Sequence, residues 1–446
     1  MNQNRRNFLK LSLGTSLAIL TSGCSGINSA FKKTKPNIIF IMADDLGYGD
    51  IACFGSKNIK TPNLDKLCAN GMKLTDFHSN GAVCSPTRAA LLTGRYQQRS
   101  GVTGVVTAKS HRHVGLNLKE TTFAEILKDI GYKTALFGKW HVGYDAKFNP
   151  TKQGFDEFKG YVSGNVDFFS HVDQEGHFDW WQGDTLKDEN GYVTHLITDH
   201  SIDFIQRHKD QPFCLYVPHE TPHYPIQTPE DAAYRKVGGG VLPGSSYKPT
   251  YQGYVKMIEA MDAGIGQIID KVHELSLADN TLIIFTSDNG PASLGSAGPL
   301  RGGKGSTWEG GHRVPGIAYW PGKIKPGSQS SQTILSMDML PTFASVAGAK
   351  LPNIKFDGID VTDVFFNNAK LPQRTLFWQH GNKSAVRKGK FKWVKDGKAK
   401  PALFDLDTDL PEKNDLSEKH PELAKQLETE YNKWLQNVTT GSEKVS

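Results

Sequence analysis

An α/β layered domain on a mostly parallel sheet, followed by a smaller α+β unit with an antiparallel sheet, is the architecture this sequence predicts. Three observations predict it. Short, continuously apolar runs recur, which suits strands buried on both faces of a parallel sheet. Helix-like segments lie between those runs, the alternation that builds layered α/β domains. After about residue 350 the runs shorten and follow one another closely, as in an antiparallel meander.

The runs are Asn37-Ile38-Ile39-Phe40-Ile41-Met42, Lys133 to Gly138, Pro212 to Val217 and Thr281 to Thr286. Helices are expected over Phe123 to Ile130, Thr198 to Arg207 and Tyr254 to Leu275. Short strands are expected at Thr375 to Trp378, Lys383 to Arg387, Lys390 to Lys395 and Ala402 to Leu406, with a closing helix from Pro421 to Val438. Gly238-Gly239-Gly240 and Pro243-Gly244 mark a surface insertion. The organisation read from this is a leading segment over residues 1–24, a main α/β domain over 36–350 and a C-terminal subdomain over 351–446. No internal repeat interrupts it.

Composition excludes several classes. With 38% hydrophobic and 22% charged residues the chain is globular and not disordered. The formal charge of +6 owes three units to Arg5, Arg6 and Lys10, too mild a surplus to require a polyanionic partner. No basic-aromatic array argues for nucleic acid.

Asn4-Arg5-Arg6-Asn7-Phe8-Leu9-Lys10, followed by the small and apolar stretch from Leu11 to Leu20, resembles a twin-arginine export signal. Thr21-Ser22-Gly23-Cys24 resembles a bacterial lipoprotein cleavage site, with simple signal-peptide cleavage as the other reading. Either implies export to the periplasm or cell surface, and contact with the membrane only through a lipid anchor at Cys24. No later segment looks transmembrane. Of the five cysteines none is spaced for a metal finger or a redox pair, and a Cys53–Cys68 bridge stays open.

Ionisable residues follow each apolar run at once: Asp44 and Asp45, Lys139 and His141, His219 and His223, Asp288 and Asn289. Ligands of open α/β sheets bind beyond the carboxyl ends of the strands, so four runs deliver these groups to one rim. Asp-Asp or Asp-Asn-Gly alone is commonly a turn. Both pairs here end core strands, which favours a site.

In Cys84-Ser85-Pro86-Thr87-Arg88-Ala89-Ala90-Leu91-Leu92-Thr93-Gly94-Arg95, Pro86 suits the first turn of a helix that Ala89 to Leu92 continue. Cys84 then sits at a helix N-terminus, where the dipole favours negative charge. Arg88 lies one turn on and can fork onto an oxyanion.

The Cys84-Ser85-Pro86-Thr87-Arg88 block with Leu92-Thr93-Gly94-Arg95 resembles the signature of the formylglycine-dependent sulfatases of the alkaline phosphatase superfamily, of the bacterial polysaccharide-sulfatase type. Asp44-Asp45, Gly138-Lys139-Trp140-His141, Pro222-His223-Tyr224-Pro225, Ser287-Asp288-Asn289-Gly290, Gly303-Lys304-Gly305 and Glu309-Gly310-Gly311-His312-Arg313-Val314-Pro315 resemble that family's successive blocks in order. The resemblance runs from about Pro36 to Glu412. It implies an alkaline-phosphatase-like α/β sandwich and the hydrolysis of sulfate esters.

It also implies roles. Cys84 would be oxidised to formylglycine by a separate maturation enzyme, and the hydrated aldehyde would offer one oxygen to attack sulfur and a second to expel sulfate, which a plain hydroxyl cannot do. Asp44, Asp45, Asp288 and Asn289, with the modified Cys84, would hold a divalent cation. Oxygen ligands suit Ca²⁺ or Mg²⁺, and Ca²⁺ is the family expectation. Arg88 and Lys139 would steady the reacting oxygen and the sulfate, Lys304 and His223 would bind sulfate and assist the leaving oxygen, and His141 would be the base. His223 is preferred to His219 because the Pro-His-x-Pro block contains it.

The stretch from Gly160 to His171, before Asp179-Trp180-Trp181, mixes polar groups with aromatics as a sugar site does. Asn165, Asp167 and His171 are expected near the leaving group, with His380 from the C-terminal subdomain. The substrate expected is a sulfated polysaccharide or oligosaccharide. Two other readings remain: a phosphodiesterase or phosphonate monoester hydrolase of the same superfamily, and a catalytically silent lipoprotein that binds sulfated glycan.

Overall fold

The computed structural model describes residues 35–442 and 445, except 246. The expected export segment and Cys24 lie outside the described residues. In chain order the strands are β1 (Asn37–Ala43), β2 (Met72–His78), β3 (Lys133–Lys139), β4 (Glu157–Tyr161), β5 (Trp181–Gln182), β6 (Thr185–Leu186), β7 (Phe213–Pro218), β8 (Thr281–Ser287), β9 (Arg313–Tyr319), β10 (Ser328–Ser330), β11 (Ile334–Leu335), β12 (Thr375–His380), β13 (Lys383–Lys388), β14 (Phe391–Lys395) and β15 (Ala402–Asp405). The helices are α1 (Pro62–Asn70), α2 (Cys84–Thr93), α3 (Phe123–Asp129), α4 (Val193–Arg207), α5 (Tyr251–Glu274), α6 (Glu309–His312), α7 (Met339–Ala347), α8 (Thr362–Asn367) and α9 (Pro421–Thr439).

Eleven strands form one sheet in the order β10-β2-β9-β8-β1-β7-β3-β4-β5-β6, with β11 beside β2. Its centre, β8-β1-β7-β3-β4, is parallel, whereas β9 runs antiparallel to β8 and β2, and β5 to β4. The four central apolar runs of the sequence are therefore neighbours. Their register pairs Ala43 with Ser287 and Met42 with Pro218, so their carboxyl ends share one edge.

The reason those strands carry no polar alternation is visible in β1. Ile38, Phe40 and Met42 face a core that includes residues of α2, α3 and α7, while Ile39, Ile41 and Ala43 face a second core with α1, α4 and α5. Each helix brings one apolar face, as in the Leu196, Ile197, Phe204 and Ile205 stripe of α4.

The second sheet is the antiparallel meander β12-β13-β14-β15. The amphipathic α9 covers it through Leu427, Tyr431, Trp434 and Val438, and Trp434 stacks on Phe377 at 4.8 Å between ring centroids. Ala90 of α2 and Tyr96 belong to that same core, so the helix that begins at Cys84 is held by both sheets. A buried ion cluster joins them as well: Lys392 on β14 lies 2.9 Å from Glu309 and 2.9 Å from Glu412, all three excluded from solvent.

Cys53, Cys68, Cys84 and Cys214 are all thiols, so no disulfide links the described residues. Among the described residues, no helix is long and apolar enough to cross a membrane.

Candidate active site

Cys84 is the first residue of α2 and is buried; its thiol donates to Asp44 Oδ1 at 3.3 Å. Burial pushes that thiol well above the ordinary cysteine range, reinforced by Asp288 and Asp44. An unmodified Cys84 is thus a protonated thiol near neutrality, a poor nucleophile despite its place at a helix N-terminus.

Asp44 and Asp45 follow β1, and Asp288 and Asn289 follow β8, as the shared strand edge requires. Asp45 adopts a left-handed φ of 63°, which turns its carboxylate back to the rim. The backbone N–H of Asp45 donates to Asp288 Oδ1 at 3.2 Å, and Asn289 Nδ2 donates to Asp45 Oδ1 at 2.8 Å. Gly290 permits this turn: a Cβ there would lie 1.8 Å from the carbonyl oxygen of Gly310.

Cations surround the acids. Arg88, one turn into α2, forks Nε and Nη2 onto Asp288 Oδ2 at 3.1 and 2.8 Å and donates Nη1 to the Lys139 carbonyl at 3.0 Å. Lys139, the last residue of β3, pairs with Asp44, and Lys304 reaches the Asp45 carboxylate at 2.7 Å. Burial would raise the Asp45 carboxyl, but Lys304 and His223 outweigh it and lower it to about 2. Burial and the neighbouring Asp44 push Asp288 up to about 6.

Asp44, Asp45 and Asp288 are buried carboxylates, and Asn289 Oδ1 is buried without a hydrogen-bond donor. Ligand atoms of Asp44, Asp45, Cys84 and His223 all lie within 4.8 Å of one another. Crowded hard oxygens, one of them an orphan acceptor, fit a divalent cation of the Ca²⁺ or Mg²⁺ kind.

The two histidines are oriented differently. His223 lies between Thr221-Pro222 and Tyr224-Pro225, both cis peptides. Its Nδ1 is 2.7 Å from the Tyr224 carbonyl, so Nδ1 donates there and Nε2 faces Asp45 Oδ2 at 3.6 Å. Burial lowers it to about 3. His141, with a left-handed φ of 59°, donates from Nε2 to the Val106 carbonyl at 3.0 Å and leaves Nδ1 buried and unpartnered. Burial, then Lys139 and Arg88, hold it well below the ordinary histidine range. His219 is buried with neither ring nitrogen bonded, and it does not line the cleft.

The cleft above these groups has a volume of about 650 Å³, suited to a sugar-sized ligand. Cys84, Asp45, His141, His223 and Lys304 line its floor, and Asn165 lines its wall with Oδ1 buried and unpartnered.

Asp167 and His171 occupy different positions from those expected of leaving-group contacts. Asp167 is buried and accepts from the backbone N–H groups of Phe169, Ser170, Tyr234 and Arg235, so its oxygens hold the insertion together. His171 stacks on Trp180 at 4.5 Å and bonds the Gly191 carbonyl, so both rings pack inside the fold. Neither lines the cleft. His380 ends β12 beside the Lys304-Gly305 loop, with Nε2 4.0 Å from where a Cβ on Gly305 would stand, and it too is outside the cleft lining.

Val106, Tyr144 and Gln174 line the cleft without having been expected there, and Ser163 and Gly164, within the stretch expected to form a sugar site, line it too. Val106 acts through its carbonyl, for which a side chain gives no signal. Gly164 had a legible one, a glycine in a polar-aromatic stretch: a Cβ there would stand 2.8 Å from His141 Nε2.

The sulfatase family model matches residues 36–349. Human arylsulfatase A is 35% identical over 426 residues, covering 88% of this chain and 79% of that protein. Among solved structures, Ps i-CgsB in complex with k-i-k-neocarrahexaose is similar with a TM-score of 0.83 and 30% identity, over 93% of this chain and 94% of that one. The PsFucS1 sulfatase from Pseudoalteromonas sp. is similar with a TM-score of 0.77 and 26% identity, over 93% of each chain.

Proposed function

This chain belongs to the sulfatase family and hydrolyses sulfate esters, and from that premise we propose that its ester is carried by a sulfated polysaccharide or oligosaccharide and that Cys84, converted to formylglycine, is its nucleophile. The observation that carries the nucleophile is the buried, protonated Cys84 thiol against Asp44 at a helix N-terminus, inert as a thiol and surrounded by groups that suit an oxygen. Support for the sugar is the cleft itself, with Asn165 on its wall, and the bound neocarrahexaose of the structure with 30% identity.

Formylglycine supplies a hydrated aldehyde, with two hydroxyls on one carbon. Asp44, Asp45, Asp288 and Asn289 would hold Ca²⁺, or less favourably Mg²⁺, which supplies positive charge beside the reacting oxygens. The chain's own residues do the rest. Arg88 and Lys139 present buried donors to the oxygen on residue 84 and to the sulfate. Lys304, the most exposed of the three cations and poised over the cleft, meets the sulfate, and His223, whose Nε2 is an acceptor while Nδ1 bonds the Tyr224 carbonyl, assists the departing alkoxide once Nε2 has taken a proton from solvent. His141, with a free Nδ1, takes the proton whose loss releases sulfate.

The division of labour puts the catalytic unit at 36–350 and the C-terminal subdomain at 351–446. A maturation enzyme is a required partner. Export, with lipid attachment at Cys24 as its anchoring form, fits a polymer substrate that cannot enter the cell.

The test is co-expression with a maturation enzyme and measurement of sulfate release from a panel of sulfated glycans beside matched phosphate esters, with Cys84→Ala as control. Sulfate release lost in the control is expected. Phosphate release without sulfate release, from protein whose Cys84 peptide carries the aldehyde, contradicts the reading.

A further inference from the structure

A second cavity, of about 570 Å³, opens off the cleft. Tyr144, Asp173 and Glu175 line both, so the two form one trough that leads away from Cys84. Its far end is built on the sheet edge, where Trp181 of β5 is half-buried with Phe178 beside it. The indole is fixed: Trp181 Nε1 donates to Asp179 Oδ1 at 2.7 Å, and that carboxylate also holds the backbone N–H groups of Val162 and Ser163. A fixed, half-buried indole lining a cavity that also holds carboxylates suits the C–H face of a sugar ring.

The charge of the two lobes differs. Lys304 and Lys109 line the first, beside the buried Arg88 and Lys139. Asp173 and Glu175 are common to both; the second adds His177 and the buried Asp179, has no lysine, and its arginine, Arg112, is paired with Asp173 at 3.1 Å. A sulfated ring placed there meets like charge with no unpaired arginine or lysine to offset it.

Resting on the glycan sulfatase reading, we propose that this second lobe is a subsite for an uncharged sugar residue of the chain that bears the ester, with Trp181 as its stacking platform. The enzyme then selects by chain length and by the absence of sulfate on the remote ring. Trp180 takes no part, since it is fully buried against His171.

The probes are a small aryl sulfate and ladders of sulfated galactan and glycosaminoglycan oligosaccharides of increasing length, each with and without sulfate on the remote ring. For the cleaved ladder, kcat/KM should rise about 10-fold once the chain reaches the second lobe, the size of one good ring stack. That gain should vanish when the remote ring is sulfated and in Trp181→Ala, and return in Trp181→Phe, with each variant shown folded by its melting transition. Equal kcat/KM along the ladder, a gain that survives Trp181→Ala, or a gain indifferent to remote sulfation overturns the subsite. Aryl sulfate turnover with no ladder cleaved overturns it too and leaves sulfate ester hydrolysis standing. No sulfate from any probe, with the Cys84 aldehyde present, overturns the reading beneath it.

Discussion

His141 gives one ring nitrogen to the fold and leaves the other unbonded: Nε2 lies 3.0 Å from the carbonyl of Val106, and Nδ1 is buried with no partner. Val106 sets which nitrogen is free, and Gly164 leaves room for the ring to lie there.

Gly164→Ala places a methyl where His141 Nε2 stands, at 2.8 Å. The ring must shift and its bond to Val106 must lengthen. A displacement of this kind costs about 100-fold in kcat, while the melting temperature should hardly move. Steady-state kinetics beside thermal unfolding checks it. Full activity in Gly164→Ala would show that the His141 orientation is not needed.

Asn289→Ala removes the one orphan acceptor among the acids. Calcium affinity should fall by at least the about 10–100-fold that outer-shell partners cost, and chelation of the parent protein should abolish sulfate release. Calcium titration of both proteins by calorimetry decides. Unchanged affinity takes Asn289 out of the ligand set.

Lys392→Met leaves the buried Glu412 without its cation and Glu309 with only Arg313 at 3.3 Å and Arg387 at 3.7 Å. Stability should drop by about 3–5 kcal/mol in denaturant unfolding. Because α6 carries Glu309 and packs its Gly310 against the Asp288-Asn289-Gly290 turn, calcium affinity should weaken with it. A loss below about 1 kcal/mol would mean the cluster is solvated.

His78 and His312 face each other through Nδ1 at 2.9 Å, a contact that shares one proton. Burial above all holds both below the ordinary histidine value of 6.5. With folded values below unfolded ones, the unfolded chain binds more protons in that window. Stability is therefore full above about pH 6.5 and falls as pH drops below it, by about 1.4 kcal/mol per pH unit for each histidine. The melting temperature should decline from pH 7 to 5, and less steeply in His78→Asn. A flat profile contradicts the buried neutral pair.

What the sequence made legible follows burial. β1, β3, β7 and β8 have core on both faces, so they read as unbroken apolar runs and their ends gathered Asp44, Asp45, Lys139, His141, His223, Asp288 and Asn289 as expected. β2 (Met72-Lys73-Leu74-Thr75-Asp76-Phe77-His78) gave no such run, because Asp76 and His78 are buried as partners of Arg387, Arg313 and His312, not as apolar core. β9 was hidden by Pro315, which ends a block recognised for its motif, and by Gly316 just after it. The polar-aromatic insertion announced a sugar site, yet its side chains divide between wall and scaffold: Asn165 and Trp181 line the trough, while Asp167, His171 and Trp180 hold it up. Composition cannot separate those two jobs, since both place polar and aromatic residues together.

The central claim is that a modified Cys84, and not its thiol, cleaves the ester. The measurement that tests it most directly is sulfate release from one glycan by protein made with and without the maturation enzyme, set against the fraction of Cys84 peptide carrying the aldehyde by mass. Release should rise in proportion to that fraction, with none from the thiol form. Equal release from the unconverted thiol protein, or from Cys84→Ala, would contradict it.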